Sequence, residues 1–227
     1  MKSRVGFLEV TTTLTIMRAF FRSAVYGIRA RGNTRVQKNK IKHDWGHEVL
    51  KIFGYQIEIK GKPPKNGACI LVGNHISYLD IPLLLAAAPF SNFIAKDDLK
   101  SWPIIGQGAD AVGTLFVKRK AGSDRTAVRN QIIKHFSEHP NFQLVVFPSG
   151  TTTLDESVRW KKGIFEIAKE IKVPVQLFHI TYEPLRESAY IAEDNLLIQM
   201  RRAAKFKNKK AMLTWLEEFL VVDDPVS

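Results

Sequence analysis

From Tyr55 to Ile180 the chain alternates short apolar runs with stretches of helical spacing, and few folds accommodate that alternation. Tyr55-Gln56-Ile57-Glu58-Ile59 has period two, and Cys69 to Val72 is a continuous apolar run of the kind that fills a strand buried on both faces. Asn92 to Ala95, Val112 to Val117, Phe142 to Phe147 and Val173 to Ile180 are further strand candidates. Between them, Ile81 to Ala88, Asp97 to Lys100, Ser123 to Phe136 and Lys161 to Ile171 have helical spacing, with Ser123 or Asp124 available as a cap. Leu196 to Met200 and a helix from Lys209 to Leu220 close the chain. Strands alternating with helices predict an α/β fold, a largely parallel sheet flanked by helices. In such sheets sites collect at strand ends, where His75, Arg119 and Pro148-Ser149-Gly150-Thr151 all fall.

The 227 residues suffice for one substantial core. The organisation expected is a basic, amphipathic helical segment over residues 1–48 and an α/β domain over residues 49–227. One cysteine, Cys69, rules out an intramolecular disulfide and a zinc site built on cysteines. The net charge of +12 implies an anionic partner: nucleic acid, an acidic membrane surface or a phosphorylated substrate. The basic excess lies mainly between residues 18 and 65, with a second cluster from Arg201 to Lys210. No nucleic-acid-binding motif or aromatic stacking pattern accompanies it, so nucleic acid is not expected.

No stretch reaches the ~20 uninterrupted apolar residues of a transmembrane helix. Val5 to Ile28 is the best candidate, but Glu9, Arg18 and Arg22 interrupt it, and it lacks the pattern of a signal peptide. It predicts an amphipathic helix in a membrane interface, with Leu14, Ile16, Met17, Phe20, Phe21, Val25 and Ile28 towards lipid. The competing expectation is a helix packed on the protein's own core.

Asn74-His75-Ile76-Ser77-Tyr78-Leu79-Asp80 places a histidine after a buried strand and a carboxylate where a helix begins. Histidine can take and return a proton near neutral pH, and a nearby carboxylate can fix its tautomer. The plainer alternative makes Asp80 a cap for a helix starting at Ile81 and His75 a hydrogen-bonded strand-end residue.

Three more blocks follow in order: Gly113-Thr114-Leu115-Phe116-Val117-Lys118-Arg119, then Phe147-Pro148-Ser149-Gly150-Thr151, then Val173-Pro174-Val175. An HxxxxD motif followed by these blocks resembles the lysophosphatidic acid acyltransferase (glycerolipid acyltransferase) family over roughly residues 49–180. The resemblance implies transfer of a fatty acyl group from acyl-CoA or acyl carrier protein to a lysophospholipid hydroxyl, most simply that of 1-acylglycerol-3-phosphate. It implies work at an anionic membrane surface, on the cytoplasmic face of a bacterial inner membrane, without metal or redox cofactor.

By the same resemblance His75 is the general base and Asp80 its orienter, while Asn74, Lys96, Arg119, Ser149, Gly150 and Thr151 bind substrate, Lys96 and Arg119 taking the anionic headgroup. The third block departs from the family's Phe-Pro-Glu-Gly-Thr-Arg: Ser149 and Thr152 replace a carboxylate and a guanidinium. Branches that acylate lyso-ornithine lipids also lack that arginine, so a non-glycerol acceptor is the alternative. Two others are a non-catalytic membrane-binding homologue and a serine hydrolase built on Ser149, whose flanks lack the Gly-x-Ser-x-Gly elbow.

Overall fold

The computed structural model describes residues 2–64, 67–102, 105–111, 113–117, 124–155, 157–191, 194–206 and 208–219. Two long helices, α1 (Lys2–Ala30) and α2 (Arg35–Ile52), precede the first strand, β1 (Tyr55–Lys60). There follow β2 (Cys69–Gly73), α3 (Asp80–Ala87), β3 (Ser91–Lys96), a 3-10 turn (Asp97–Ser101), α4 (Ile105–Ala111), β4 (Leu115–Val117), α5 (Asp124–Glu138) and β5 (Gln143–Val146). The chain continues through α6 (Gly163–Ile171), β6 (Val175–Glu183), the short α7 (Leu185–Ser188), α8 (Leu196–Lys205) and β7 (Lys209–Phe219).

The strands form one seven-stranded sheet in the order β1-β7-β6-β2-β5-β3-β4. Every neighbouring pair is parallel except β6 with β7, so the fold is α/β with a mostly parallel sheet, as the alternation predicts. At its centre β2 pairs with β5 on one side and β6 on the other, and all five of its residues are buried. One apolar cluster joins Leu71, Leu83, Leu84, Phe178, Ile180 and Leu213 to α1 and α2, and a second gathers Ile70, Val72, Leu144 and Val175 with α5 and α6. Because β2 to β6 run the same way, β2, β3, β4, β5 and β6 all end at one edge of the sheet.

Two sequence expectations change. The predicted C-terminal helix from Lys209 to Leu220 is the strand β7. Lys209, Ala211, Leu213 and Trp215 alternate inward with period two. The outward-facing Met212 and Leu216 mask that alternation and mimic helical spacing. The segment expected to turn one face of α1 to lipid divides instead. Ile16 is buried and Phe20 packs on the core, whereas Leu14, Met17, Phe21 and Ile28, with Val10, stand exposed. The helix is apolar on more than one face: one face packs on the protein's own core and another is exposed.

Helix α2 starts from a capping box in which Thr34 and Gln37 satisfy each other's backbone amides. Glu48 on α2 takes both arms of the Arg22 guanidinium, at 2.6 and 2.8 Å, and the Tyr26 hydroxyl at 2.8 Å, which fixes α1 against α2. Helix α4, whose Gly-rich sequence gives no helical signal, lies against α1, with Gly27 facing Gly108, and just past the end of α1 Arg31 donates to Gln107 at 2.9 Å.

Gly46 lets α2 approach α3 so closely that a Cβ there would overlap the Pro82 carbonyl oxygen and the Ala86 nitrogen. Gly46→Ala should therefore lower the unfolding free energy by about 1–3 kcal/mol in urea titration, despite alanine's better helix propensity. Buried Lys42 donates to the Ser91 carbonyl at 3.0 Å and to Asn92 Oδ1 at 3.3 Å. Burial, with Arg35 and Lys38 adding to it, pushes its pKa down to about 8. Between pH 8 and the unfolded chain's value of about 10.4, the unfolded state binds more protons, so stability gained through Lys42 rises with pH across that window. Urea titrations at several pH values should show wild type gaining on Lys42→Met by up to about 3 kcal/mol from pH 8 to 10.4, and a constant difference below pH 8.

Candidate active site

The site begins where β2 leaves the sheet. Asn74 extends the ladder by one rung through its side chain: Nδ2 donates to the Ile180 carbonyl at 2.8 Å and Oδ1 accepts from Ile180 N at 2.7 Å. The chain then turns through His75 to Leu79 into α3, and Asp80 is the first residue of that helix. Asp80 does not cap it through its side chain. The carboxylate turns back to the loop, where Oδ2 accepts from Ile76 N at 2.7 Å, Ser77 N at 3.0 Å and the His75 ring at Nδ1, 2.7 Å. Its other oxygen, Oδ1, accepts from the Tyr182 hydroxyl at 2.7 Å.

Asp80 is 0% exposed, and a carboxylate in that setting is tolerable only with its lone pairs engaged, as these are. The positive end of α3 favours the same charge. Since a carboxylate only accepts, Nδ1 of His75 must carry the proton, which leaves Nε2 as the basic nitrogen. Nε2 has no hydrogen-bond partner among the described residues, and the side chain keeps 21% of its surface exposed. Burial, and secondarily Asp80, raise the pKa of Tyr182 well above its ordinary value, so its hydroxyl remains a donor.

The loop after β5 closes over the other side of the histidine. The Phe147 ring stacks on the His75 imidazole with centroids 3.9 Å apart and planes within 10°. Thr153 N donates to the His75 carbonyl at 2.8 Å. Ser149 Oγ donates to the Thr151 carbonyl at 2.7 Å, so its hydroxyl serves the turn, while the ring bond of His75 goes to Asp80. Gly150 sits at φ +75°, a conformation side chains resist, with the Lys161 ammonium lying over it.

The structure thus brings His75, Asp80 and Asn74 together with the loop that carries Ser149, Gly150 and Thr151. Lys96 is the last residue of β3, at the same sheet edge. Arg119 lies outside the described residues, two positions past Val117, the end of β4. Sequence reasoning missed Tyr182 and the stacking role of Phe147. The period-two row Phe178, Ile180, Tyr182 on β6 did carry a signal, because a tyrosine in a buried row needs a partner for its hydroxyl. Among the described residues no group of three or more His, Cys, Asp or Glu side chains is placed to hold a metal ion.

A buried carboxylate holds a partly exposed histidine at the carboxyl edge of the parallel strands, and the class of protein that carries this arrangement follows from its relatives. The profile of the family described as Acyltransferase matches residues 55–180, more than half of the chain. The lyso-ornithine lipid O-acyltransferase of Pseudomonas aeruginosa is 31% identical over 178 residues, covering 76% of this chain and 67% of that protein. The 1-acyl-sn-glycerol-3-phosphate acyltransferase of Neisseria meningitidis is 29% identical over 123 residues, 54% of this chain and 47% of its own length. The crystal structure of the 1-acyl-sn-glycerophosphate (LPA) acyltransferase PlsC from Thermotoga maritima matches with a TM-score of 0.68 at 20% identity, over 96% of this chain and 86% of that one, which is a likeness of fold. This chain belongs to the acyltransferase family. It spans two thirds of the Pseudomonas relative and about half of the Neisseria one.

Asp80→Asn keeps the size but gives one oxygen position to an NH₂ group facing donors. The loss of stability should reach about 2–4 kcal/mol in thermal or urea denaturation, far above an exposed Asp→Asn change.

Proposed function

We propose that the protein transfers a fatty acyl group from a thioester, acyl-CoA or acyl carrier protein, to the hydroxyl of a lysolipid. The observation that carries this reading is the 2.7 Å bond from His75 Nδ1 to fully buried Asp80, which leaves Nε2 to work as a base. As the acceptor oxygen bonds to the thioester carbonyl carbon, Nε2 takes its proton, and the imidazolium is stabilised by Asp80. The tetrahedral intermediate collapses, the carbon–sulfur bond breaks, and the departing thiolate recovers the proton from Nε2. The products are the diacyl lipid and free thiol, and the histidine is regenerated. Lys96 and Arg119 would bind the acceptor's anionic headgroup, assisted by the Ser149–Thr151 turn.

The reaction is proposed to occur at the cytoplasmic face of a membrane. Among the described residues no helix is long and apolar enough to cross one. The exposed row Val10, Leu14, Met17, Phe21 and Ile28 on α1, beside basic residues of the same helix, suits a helix lying in the interface.

The simplest acceptor is 1-acylglycerol-3-phosphate. A lyso-ornithine lipid is the second reading, favoured by the Pseudomonas relative's name and by neutral Ser149 and Thr152 in the third block. Assays of the purified chain in detergent–lipid micelles, with each acceptor and each donor, separate these. One acceptor should give turnover that His75→Ala reduces by at least about a thousandfold, in a protein whose circular dichroism spectrum shows the fold retained. Near-normal turnover by His75→Ala would refute the mechanism, and no turnover with any lysolipid would refute the activity.

A further inference from the structure

Tyr182 lies two residues past the stretch matched by the family profile and in none of the four sequence blocks. Its hydroxyl nevertheless reaches the innermost atom of the site. We propose that Tyr182 is a positioning residue for the general base: its hydroxyl anchors Asp80 through Oδ1, so that Oδ2 faces His75, and it sets how strongly the carboxylate draws on the imidazole proton. The proposal rests on the general-base reading of His75.

The placement is over-determined. Strand β6 pairs with β2 up to Gly73 and Phe178, and the Asn74 side chain continues the pairing to Ile180. Two residues further, on the same face as Phe178 and Ile180, Tyr182 enters the core edge-on to the Tyr55 ring, 5.8 Å between centroids. Tyr55 is held by Ser188, whose hydroxyl it reaches at 2.6 Å, so the pair cannot shift without breaking that bond. The bond to Oδ1 is 2.7 Å, and Tyr182 is 2% exposed, so water does not compete for it. Oδ2 already serves three donors, and Tyr182 is the one donor to Oδ1 among the described residues. Without it the carboxylate would have an empty buried oxygen and freedom to rotate.

Among the described residues, few titratable groups surround this carboxylate. His75 comes from the end of β2, Tyr182 from β6, and one layer out stand Tyr55 from β1 and Tyr78 from the loop before α3. On the far side of the imidazole Phe147 is uncharged, and Lys161 lies over Gly150 in the same loop. A hydroxyl donating to Asp80 neutralises part of its charge, so it lowers the basicity of His75. Removing the hydroxyl makes Asp80 a harder anion, stabilises the imidazolium and moves the loss of activity at low pH upward.

The test is the pH dependence of kcat/KM for the full chain with the donor and acceptor that support turnover. Tyr182→Phe keeps the ring against Tyr55 and should shift the acid limb up by about one unit, with kcat down about tenfold at its optimum and KM for both substrates unchanged. 3-Fluorotyrosine at position 182 is a stronger donor of nearly the same size, and it should shift the limb the other way. Opposite shifts are a signature that a purely structural hydroxyl would not give. A wild-type acid limb in both variants overturns the proposal, as does a shift of the same sign in both. Should Tyr182→Phe not fold, the fluorotyrosine protein alone decides, by a downward shift or none. His75→Ala, assayed alongside, separates the two claims: if it retains turnover the general-base reading fails, whereas an inactive His75→Ala with unshifted Tyr182 variants refutes only the role of Tyr182.

Discussion

A carboxylate with no exposed surface sits at the junction of a strand, a loop and a helix, and the arrangement of the edge around it follows from the need to satisfy it. Asp80 receives four hydrogen bonds: two backbone amides of its own loop, the ring of His75 and the hydroxyl of Tyr182. The amides of Ile76 and Ser77 can both point inward only if the loop wraps around the carboxylate, and that wrap sets the position of His75. Tyr182 ties the same group to β6, so helix, loop and central sheet share one anchor. Burial strengthens each of these bonds and makes each loss costly. The histidine thus holds one tautomer without a dedicated scaffold of its own.

The sheet supplies the rest by direction alone. Five strands run in parallel, so the residues after β2, β3, β4, β5 and β6 converge on one edge from very different places in the sequence. The segment after β5 lays Phe147 flat on His75 and pins its carbonyl through Thr153, covering the imidazole face that Asp80 does not reach. Away from this edge, α1 is fastened to α2 by the Arg22–Glu48–Tyr26 group, while its opposite side exposes a row of large apolar residues. On the proposed activity the acceptor would dissolve in a membrane and the thioester donor in water, and an exposed apolar row on α1 suits work where the two meet.

Much of this was legible in the residues. The buried run Cys69 to Val72, the alternation of apolar periods and the order of the four blocks led to the parallel sheet and to the family. Parts were hidden for physical reasons. Strand β7 was hidden because Met212 and Leu216, outward on a strand, also fit a helical face. Helix α4 was invisible because Gly106 and Gly108 carry no helical preference, and its packing on α1 supplies what propensity does not. The role of Tyr182 depends on a contact between residues 102 positions apart, which local spacing cannot encode. The plainer alternative, Asp80 as a cap for α3, had its position at the helix start right, but its side chain answers the loop in front of the helix.

The central claim is that Asp80 holds His75 with its proton on Nδ1 and its lone pair on Nε2. Nitrogen-15 NMR of the imidazoles, with the His75 signals assigned by their loss in His75→Gln, tests it directly near neutral pH. The account predicts a protonated Nδ1 with a strongly downfield proton, and an unprotonated, pyridine-like Nε2 that takes the second proton as the pH falls. A His75 ring whose proton resides on Nε2, or one that exchanges freely between both tautomers, would contradict it.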